Sequence, residues 1–174
     1  MVLRPEYFPV PRPRREEENM ALLSYQHKIV DLMIEQELTL AELYLFLSKK
    51  YPEQGDFWRT LQGEELIHAQ WVEYLKERVM AGTALFYEDR TRPVAIQSFI
   101  EFVNGIIKKF KTREMPLKAA LSLAVDIEAS MLEQKVFQHF EGDDPELVRT
   151  LRRLSEDTAR HLMIVKDMRR DTRD

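Results

Sequence analysis

The sequence predicts an all-α protein: a bundle of four long helices arranged as two antiparallel pairs, with an extra helix in the long crossover between the pairs. Apolar residues recur in four stretches at alternating steps of three and four, the spacing that places side chains on one buried face of a helix. Only 5 of the 174 residues are glycine, whereas Leu, Glu, Lys, Arg and Ala are plentiful, which favours helices over strands. Short connections within each pair are typical of antiparallel neighbours.

The first 18 residues differ from the rest of the chain. Four prolines stand between positions 5 and 13, and such a density of proline prevents a helix and favours an extended arm. The arm is either a solvated tail or a segment that docks on a neighbouring subunit, with Tyr7 and Phe8 as its anchors. The helical bundle is then expected to cover residues 19–174.

The ends of the first helix pair can be located from turn residues. The first helix is predicted to run from about residue 20 to about 50 and to stop before Pro52, because proline interrupts a helix. The second helix is predicted to run from about 57 to 81. Asp56 is the expected N-cap of this helix, and Gly82 is expected to follow its end.

The connection from residue 82 to about 116 is too long for a hairpin, so it is expected to run back along the bundle. It contains a further helix after Pro93. The third bundle helix is predicted to end at Gly142. The fourth is predicted to begin with Asp144 as N-cap and Pro145 in the first helical position.

The crossover helix has an apolar face of its own, made by Phe99, Ile100, Val103, Ile106, Ile107 and Phe110. This face could cover the flank of the bundle. Phe102 lies off that face, however, and exposed apolar surface usually marks a partner. We therefore expect a homodimer or a larger homo-oligomer in which the crossover helix contributes to the contact.

Two of the apolar stripes carry polar side chains at matching positions. The second helix has Glu65 and His68 in its stripe, the fourth has Thr158 and His161, and His161 follows His68 by 93 residues. Carboxylate and imidazole groups are costly to bury unless something pairs with them. In helical bundles that partner is commonly a metal, held by Glu-x-x-His on one helix and a lone Glu on its neighbour.

Lone glutamates are present on the other two helices. Glu37 lies in the middle of the first stripe and Glu128 in the third, 91 residues apart. The sequence therefore predicts two helix pairs related by duplication, and each pair supplies one lone glutamate and one histidine. By contrast, Glu64 lies off the stripes and is expected to be solvated.

These residues together carry a resemblance to a known family. Glu37 with Tyr44 seven residues later, the run Glu65-Leu66-Ile67-His68, Glu128 and His161 resemble the rubrerythrin-type branch of the ferritin-like proteins. The resemblance covers roughly residues 22–170. It implies a ferritin-like four-helix bundle with a non-haem di-iron carboxylate site, and an oxidoreductase activity of peroxidase or ferroxidase type.

The same resemblance assigns roles to individual residues. The implied metal ligands are Glu37, Glu65, His68, Glu128 and His161, with Glu65 bridging two ions. Tyr44 would be the catalytic-site hydroxyl that orients a ligand, although its hydroxyl could equally be satisfied elsewhere in the core.

The chain departs from the family pattern at Thr158, where the family has a second bridging glutamate. Asp157 is one residue away and is a candidate substitute ligand, with a shorter side chain rotated by about 100°. An altered dinuclear site, a mononuclear site and a vestigial site all remain open. We expect the second metal position to be weaker than the first.

The ligand types restrict the cofactor. Carboxylates and imidazoles suit iron, manganese or zinc, and the resemblance favours two iron ions. The chain has no cysteine, so it lacks the four-cysteine iron domain of full-length rubrerythrins. Turnover with oxygen or peroxide would then need an external electron donor. The alternative is a non-enzymatic bundle that stores metal or acts as a structural or interaction protein.

Composition argues against several other classes. The net charge is −4, and positive and negative residues are mixed along the chain. This distribution indicates no nucleic-acid partner. The sequence has no run of about 18 uncharged apolar residues, so no membrane span is expected. The N-terminus lacks the apolar core of a secretory signal, so a cytoplasmic location is expected.

Overall fold

The computed structural model describes residues 15–86, 93–134, 140–141 and 145–172. These residues form an all-α bundle, as predicted. Its helices are α1 (Arg15–Lys50), α2 (Gly55–Met80), α3 (Pro93–Lys111), α4 (Leu117–Gln134) and α5 (Pro145–Asp171), with a 3-10 turn at Pro52–Gln54. Two strands of two residues each, β1 (Leu85–Phe86) and β2 (Phe140–Glu141), pair antiparallel. The sequence did not predict this small pairing.

The first helix is longer than expected at its N-terminus. It begins at Arg15, so the boundary expected at residue 18 falls inside α1. The prediction of an extended arm for residues 1–14 lies outside the described residues. At the other end α1 stops at Lys50, and Pro52 opens the 3-10 turn, as the proline predicted.

The ends of α2 agree with the prediction at one terminus and differ at the other. Gly82 has a φ of 71°, and its N–H bonds to Val79 O while that of Thr83 bonds to Arg78 O. This pair of bonds is the Schellman arrangement that ends helices at glycine. The predicted N-cap was wrong: Asp56 lies inside the first turn, where its carboxylate pairs with Arg59 at 2.6 Å.

The crossover does run back along the bundle. The Lys50 ammonium at the end of α1 donates to the carbonyls of Phe110 at 3.2 Å and Arg113 at 3.1 Å. The Tyr51 hydroxyl donates to Met115 O at 2.6 Å. The end of α3 therefore lies beside the end of α1. In this arrangement α3 packs on α1 and buries most of the apolar face that the sequence identified, from Phe99 to Ile107, together with Ile96. Phe110 is only partly buried.

The second helix pair needs one correction. The third bundle helix cannot extend to Gly142, because Phe140–Glu141 is already paired as a strand and α4 is helical only to Gln134 among the described residues. The predicted cap at Asp144 lies outside those residues. Pro145 is the first residue of α5, which confirms the predicted start of that helix.

The apolar core forms two clusters, and polar residues lie between them. One cluster contains Leu40, Tyr44, Trp58 and Leu121, and the other contains Met33, Val72 and Leu154. On α1, α2 and α5 the candidate ligands fall between residues of the two clusters, as Glu37 does between Met33 and Leu40. On α4 the apolar residues on both sides of Glu128 belong to the first cluster. The candidate centre is therefore closed off by apolar side chains on both sides. None of the helices in the described ranges is long and apolar enough to cross a membrane.

One glycine inside α2 and one just after its end make the turn geometry testable. Gly82 needs its positive φ, so Gly82→Ala should lower the free energy of unfolding by about 1 kcal/mol. Gly63 lies within the helix, and no atom lies within 4 Å of the place where a Cβ would be added. Gly63→Ala should therefore raise the free energy of unfolding by about 0.5–1 kcal/mol. Urea unfolding of both variants measures this, and shifts of the same sign would contradict the assigned cap.

Candidate metal centre

Five ionisable side chains from four helices converge in the middle of the bundle. They are Glu37 of α1, Glu65 and His68 of α2, Glu128 of α4 and His161 of α5, and each is at most 2% exposed. These five are the ligands that the resemblance implied. Ionisable groups at this depth must satisfy one another or bind a cation, so their mutual contacts decide what the centre can do.

Glu65 occupies the middle of the group. Its Oε2 accepts a hydrogen bond from Nδ1 of His68 at 2.9 Å, and its Oε1 accepts one from Nδ1 of His161 at 3.0 Å. Ligand atoms of these three residues all lie within 4.8 Å of one another, a spacing that could hold a metal ion. One carboxylate thus joins the histidines of α2 and α5.

The lone glutamates complete two similar halves. Oε2 of Glu37 lies 3.7 Å from Nδ1 of His68, and Oε1 of Glu128 lies 3.8 Å from Nδ1 of His161. The Nδ1 atom of each histidine therefore faces one oxygen of Glu65 and one oxygen of the glutamate from its own helix pair. The two imidazole rings are stacked, with centroids 5.2 Å apart.

The outer nitrogens of the histidines face a second pair of carboxylates. Oε2 of Glu64 lies 2.9 Å from Nε2 of His161, so Glu64 is not the freely solvated group that the sequence predicted. Oδ2 of Asp157 lies 3.5 Å from Nε2 of His68, and that nitrogen has no hydrogen-bond partner. Glu64 and Asp157 are themselves 93 residues apart. The 93-residue repeat was therefore the sequence signal that could have placed Glu64 beside a histidine.

Asp157 takes a different place from the one considered for a substitute ligand. It faces the outer nitrogen of His68, its side chain is 32% exposed, and it also contacts the Arg160 guanidinium at 3.3 Å. Arg160 contacts Glu64 as well, at 3.0 Å. The cation of Arg160 thus lies between the two outer carboxylates and offsets their charge.

Thr158 occupies the position that corresponds to Glu65 in the other half of the repeat. It is buried, and its hydroxyl donates to the carbonyl of Leu154 at 2.9 Å. This is the usual bond of a threonine to the preceding helical turn. The position in α5 that matches Glu65 consequently supplies no carboxylate to the centre.

Tyr44 contacts the centre through Glu128. Its hydroxyl donates to Oε1 of Glu128; the sequence had predicted a hydroxyl that orients a ligand without naming which ligand. The ring stacks on Trp58 with centroids 5.8 Å apart. Burial, together with the charge of Glu128, raises the pKa of Tyr44 well above its usual value, so the hydroxyl remains a donor.

Protons balance the charges of this group when no metal is bound. Burial raises the pKa of Glu37 to about 7, and burial with the nearby charge of Glu65 raises that of Glu128 to about 8. Burial alone would also raise the pKa of Glu65, but hydrogen bonds from His161 and His68 outweigh it and hold that pKa at about 2.

The histidines show the opposite balance. Burial alone would lower the pKa of His68, but hydrogen bonds to Glu37 and Glu65 raise it to about 11. The pKa of His161 is raised for the same reason, chiefly by Glu65. The metal-free centre is therefore an anionic carboxylate between two imidazolium groups, flanked by two carboxyls that ionise only near neutral pH.

Comparison with known proteins identifies no relative. The chain matches no protein-family model, no curated protein and no solved structure. The likeness to rubrerythrins consequently rests on the residues that carry it.

The proton balance predicts how stability depends on pH. Unfolded carboxyls ionise near 4.5 and unfolded imidazole near 6.5, so between about pH 5 and pH 9 the folded chain binds more protons than the unfolded chain. Stability of the chelator-treated protein should fall as pH rises through this window. A loss of about 1 kcal/mol corresponds to a fall in Tm of about 2–4 °C for a chain of this size.

Calorimetry at several pH values measures this slope. Zn²⁺ added at about pH 8 should recover the lost Tm, since a bound cation takes the place of the protons. Glu128→Gln, which is uncharged at every pH, should flatten the slope. A Tm that does not change between about pH 6 and pH 9 would contradict this account of the buried charges.

Proposed function

We propose that this chain is a ferritin-like metalloprotein with a non-haem dinuclear site, and that it is an oxidoreductase of ferroxidase or peroxidase type. The observation that carries the proposal is the position of Glu65, whose two oxygens face Nδ1 of two different histidines. A carboxylate in that position can bridge two metal ions. Two helix pairs joined by a crossover helix along α1 also suit a ferritin-like bundle.

The donor atoms fit first-row metal ions. Bonds of about 2.0–2.2 Å put neighbouring donors of an octahedral ion about 3.0 Å apart. The separations between Glu65 and the two histidines, 2.9 and 3.0 Å, agree with this value. Glu37 and Glu128, at 3.7 and 3.8 Å from the same nitrogens, need only a small movement to join them. Mixed carboxylate and imidazole donors favour iron, with manganese and zinc as competitors.

The protein groups around the donors support this assignment. With the outer N–H of His161 donated to Glu64, Nδ1 can present a lone pair, which is the tautomer that a metal requires. Tyr44 holds Glu128 through its hydroxyl, and the apolar clusters on either side limit the access of water. Bound iron would supply one-electron chemistry toward oxygen or peroxide, and electrons would come from an external donor.

A second candidate function is a metal-binding bundle without turnover, which stores metal or has a structural role. Thr158 is the observation that favours it, because the centre has one anionic side chain fewer than the family pattern. Both halves use Glu65, so the missing carboxylate should weaken both metal positions. The expectation that the second position is the weaker of the two stays a prediction.

Anaerobic titration with Fe²⁺ tests the dinuclear site. We expect two equivalents per chain, with Thr158→Glu increasing the affinity for both because it adds one negative charge beside the cations. Thr158→Gln is the matched control: it adds nearly the same volume without the charge, and it should leave the affinity unchanged or lower. A single equivalent in the wild type would support a mononuclear site, and no binding would reject the proposal.

Turnover distinguishes the two candidate functions. Absorbance changes on mixing the Fe²⁺-loaded protein with oxygen or with peroxide should reveal oxidation catalysed by the protein. Tyr44→Phe should lower the rate by about tenfold, the scale of other groups that orient a ligand, while two equivalents still bind. Tyr51→Phe is the control, since that hydroxyl bonds only to Met115 O. Binding of two equivalents with no oxidation above the rate of free iron would favour storage.

A further inference from the structure

A groove between α3 and α4 lies on the outside of the bundle, away from the candidate metal centre. It encloses about 770 Å³. Its lining is mostly apolar and includes Phe102, Ile106, Phe110, Met115 and Leu123. Phe102 is 56% exposed, which is unusual for so large an apolar side chain at the edge of an apolar groove.

Charged residues at the rim make the two ends of the groove different. Glu101 of α3 and Asp126 of α4 line one part, and Lys109 lines another, two helical turns along α3 from Glu101. Because α3 and α4 are joined by the short segment 112–116, they run in opposite directions, and Asp126 falls on the side of Glu101. One end of the groove is therefore acidic and the other basic.

Gly105 lies midway between Glu101 and Lys109 on the exposed face of α3. A glycine inside a helix costs about 0.5–1 kcal/mol relative to alanine, and a glycine that permits close approach of another backbone is the usual compensation. Apart from the backbone of α3 itself, none of the described residues has an atom within 4 Å of a Cβ built at Gly105, so they supply no close neighbour for it.

We propose that the groove binds a second copy of this chain, with the two α3 helices antiparallel about a two-fold axis at Gly105. In that register Glu101 of each copy faces Lys109 of the other, so unlike charges meet on both sides of the axis. A parallel arrangement would place like charges together. Phe102 of each copy then packs into the apolar groove of the other, and the two Gly105 residues let the helices approach closely. Such a contact is isologous and closes after two copies.

The size of the surface sets the expected affinity. A helix of 19 residues is about 28 Å long, and with α4 beside it the contact is about 20 Å wide. The footprint is therefore about 560 Å² per copy, or about 1,100 Å² in total, at the lower end of specific interfaces. We expect a reversible dimer with a dissociation constant in the micromolar range.

Sedimentation analysis of the full-length, chelator-treated chain from about 1 to about 100 µM tests the proposal. The mass should rise from 20.7 kDa toward twice that value. Phe102→Glu should raise the dissociation constant roughly tenfold or more, because it puts a charge in the apolar contact. Val148→Glu is the control: Val148 lies on α5, is 53% exposed and does not line the groove.

Four further variants test the register and the close approach. Glu101→Lys and Lys109→Glu should each weaken the dimer, and the double variant should restore it, since the unlike pairs are then re-formed with reversed signs. Gly105→Gln should raise the Tm of the dilute monomer, as a better helix former, yet weaken the dimer by blocking close approach.

A monomer at every concentration would overturn the proposal. So would a dimer that Phe102→Glu and Val148→Glu affect equally, or a double charge reversal that fails to restore association. Because the measurements use metal-free protein, their outcome is independent of whether the candidate metal centre binds iron.

Discussion

The arrangement of the bundle depends on one buried carboxylate, Glu65, held between two imidazoles. Both of its oxygens accept hydrogen bonds from histidines, one on its own helix and one on α5. A carboxylate this deeply buried would be strongly destabilising without such partners. The same contact fixes how α2 faces α5, because any rotation of either helix that separated Glu65 from His161 would leave both groups unpaired.

The polar layer around Glu65 explains several features at a distance from it. The hydrophobic core is divided because Glu37, Glu128 and the histidines occupy the middle of every bundle helix. Tyr44 and Trp58 lie at the edge of one cluster, where the Tyr44 hydroxyl meets Glu128. On the outer side, polar groups extend from the imidazoles to the surface and end at the Arg160 guanidinium. Charged side chains thus connect the centre to the surface, whereas apolar packing lies on both sides of it along the bundle axis.

The two halves of the chain are similar but not equal, and the differences have chemical consequences. Glu64 reaches His161 at 2.9 Å, whereas Asp157, one methylene shorter at the equivalent position, remains 3.5 Å from His68. The ring of His161 is therefore held on both sides and that of His68 chiefly on one. Thr158 removes a carboxylate that either half could use. A centre with this asymmetry retains a buried group of donors that could hold a metal ion, with one carboxylate fewer than two equal halves would supply.

The sequence by itself determined the helices and the members of the candidate centre. Alternating steps of three and four residues are a local property, and the 93-residue repeat placed Glu65, His68 and His161 at corresponding positions before any contact was known. Only the tertiary structure decided which oxygen faces which nitrogen, that Tyr44 bonds to Glu128, that Asp157 faces the outer nitrogen of His68, and that Glu64 holds His161. These contacts join helices far apart in the chain, and they depend on how each helix is rotated and offset against its neighbours. Periodicity within one helix carries no information on that rotation, so such contacts could not be predicted from spacing alone.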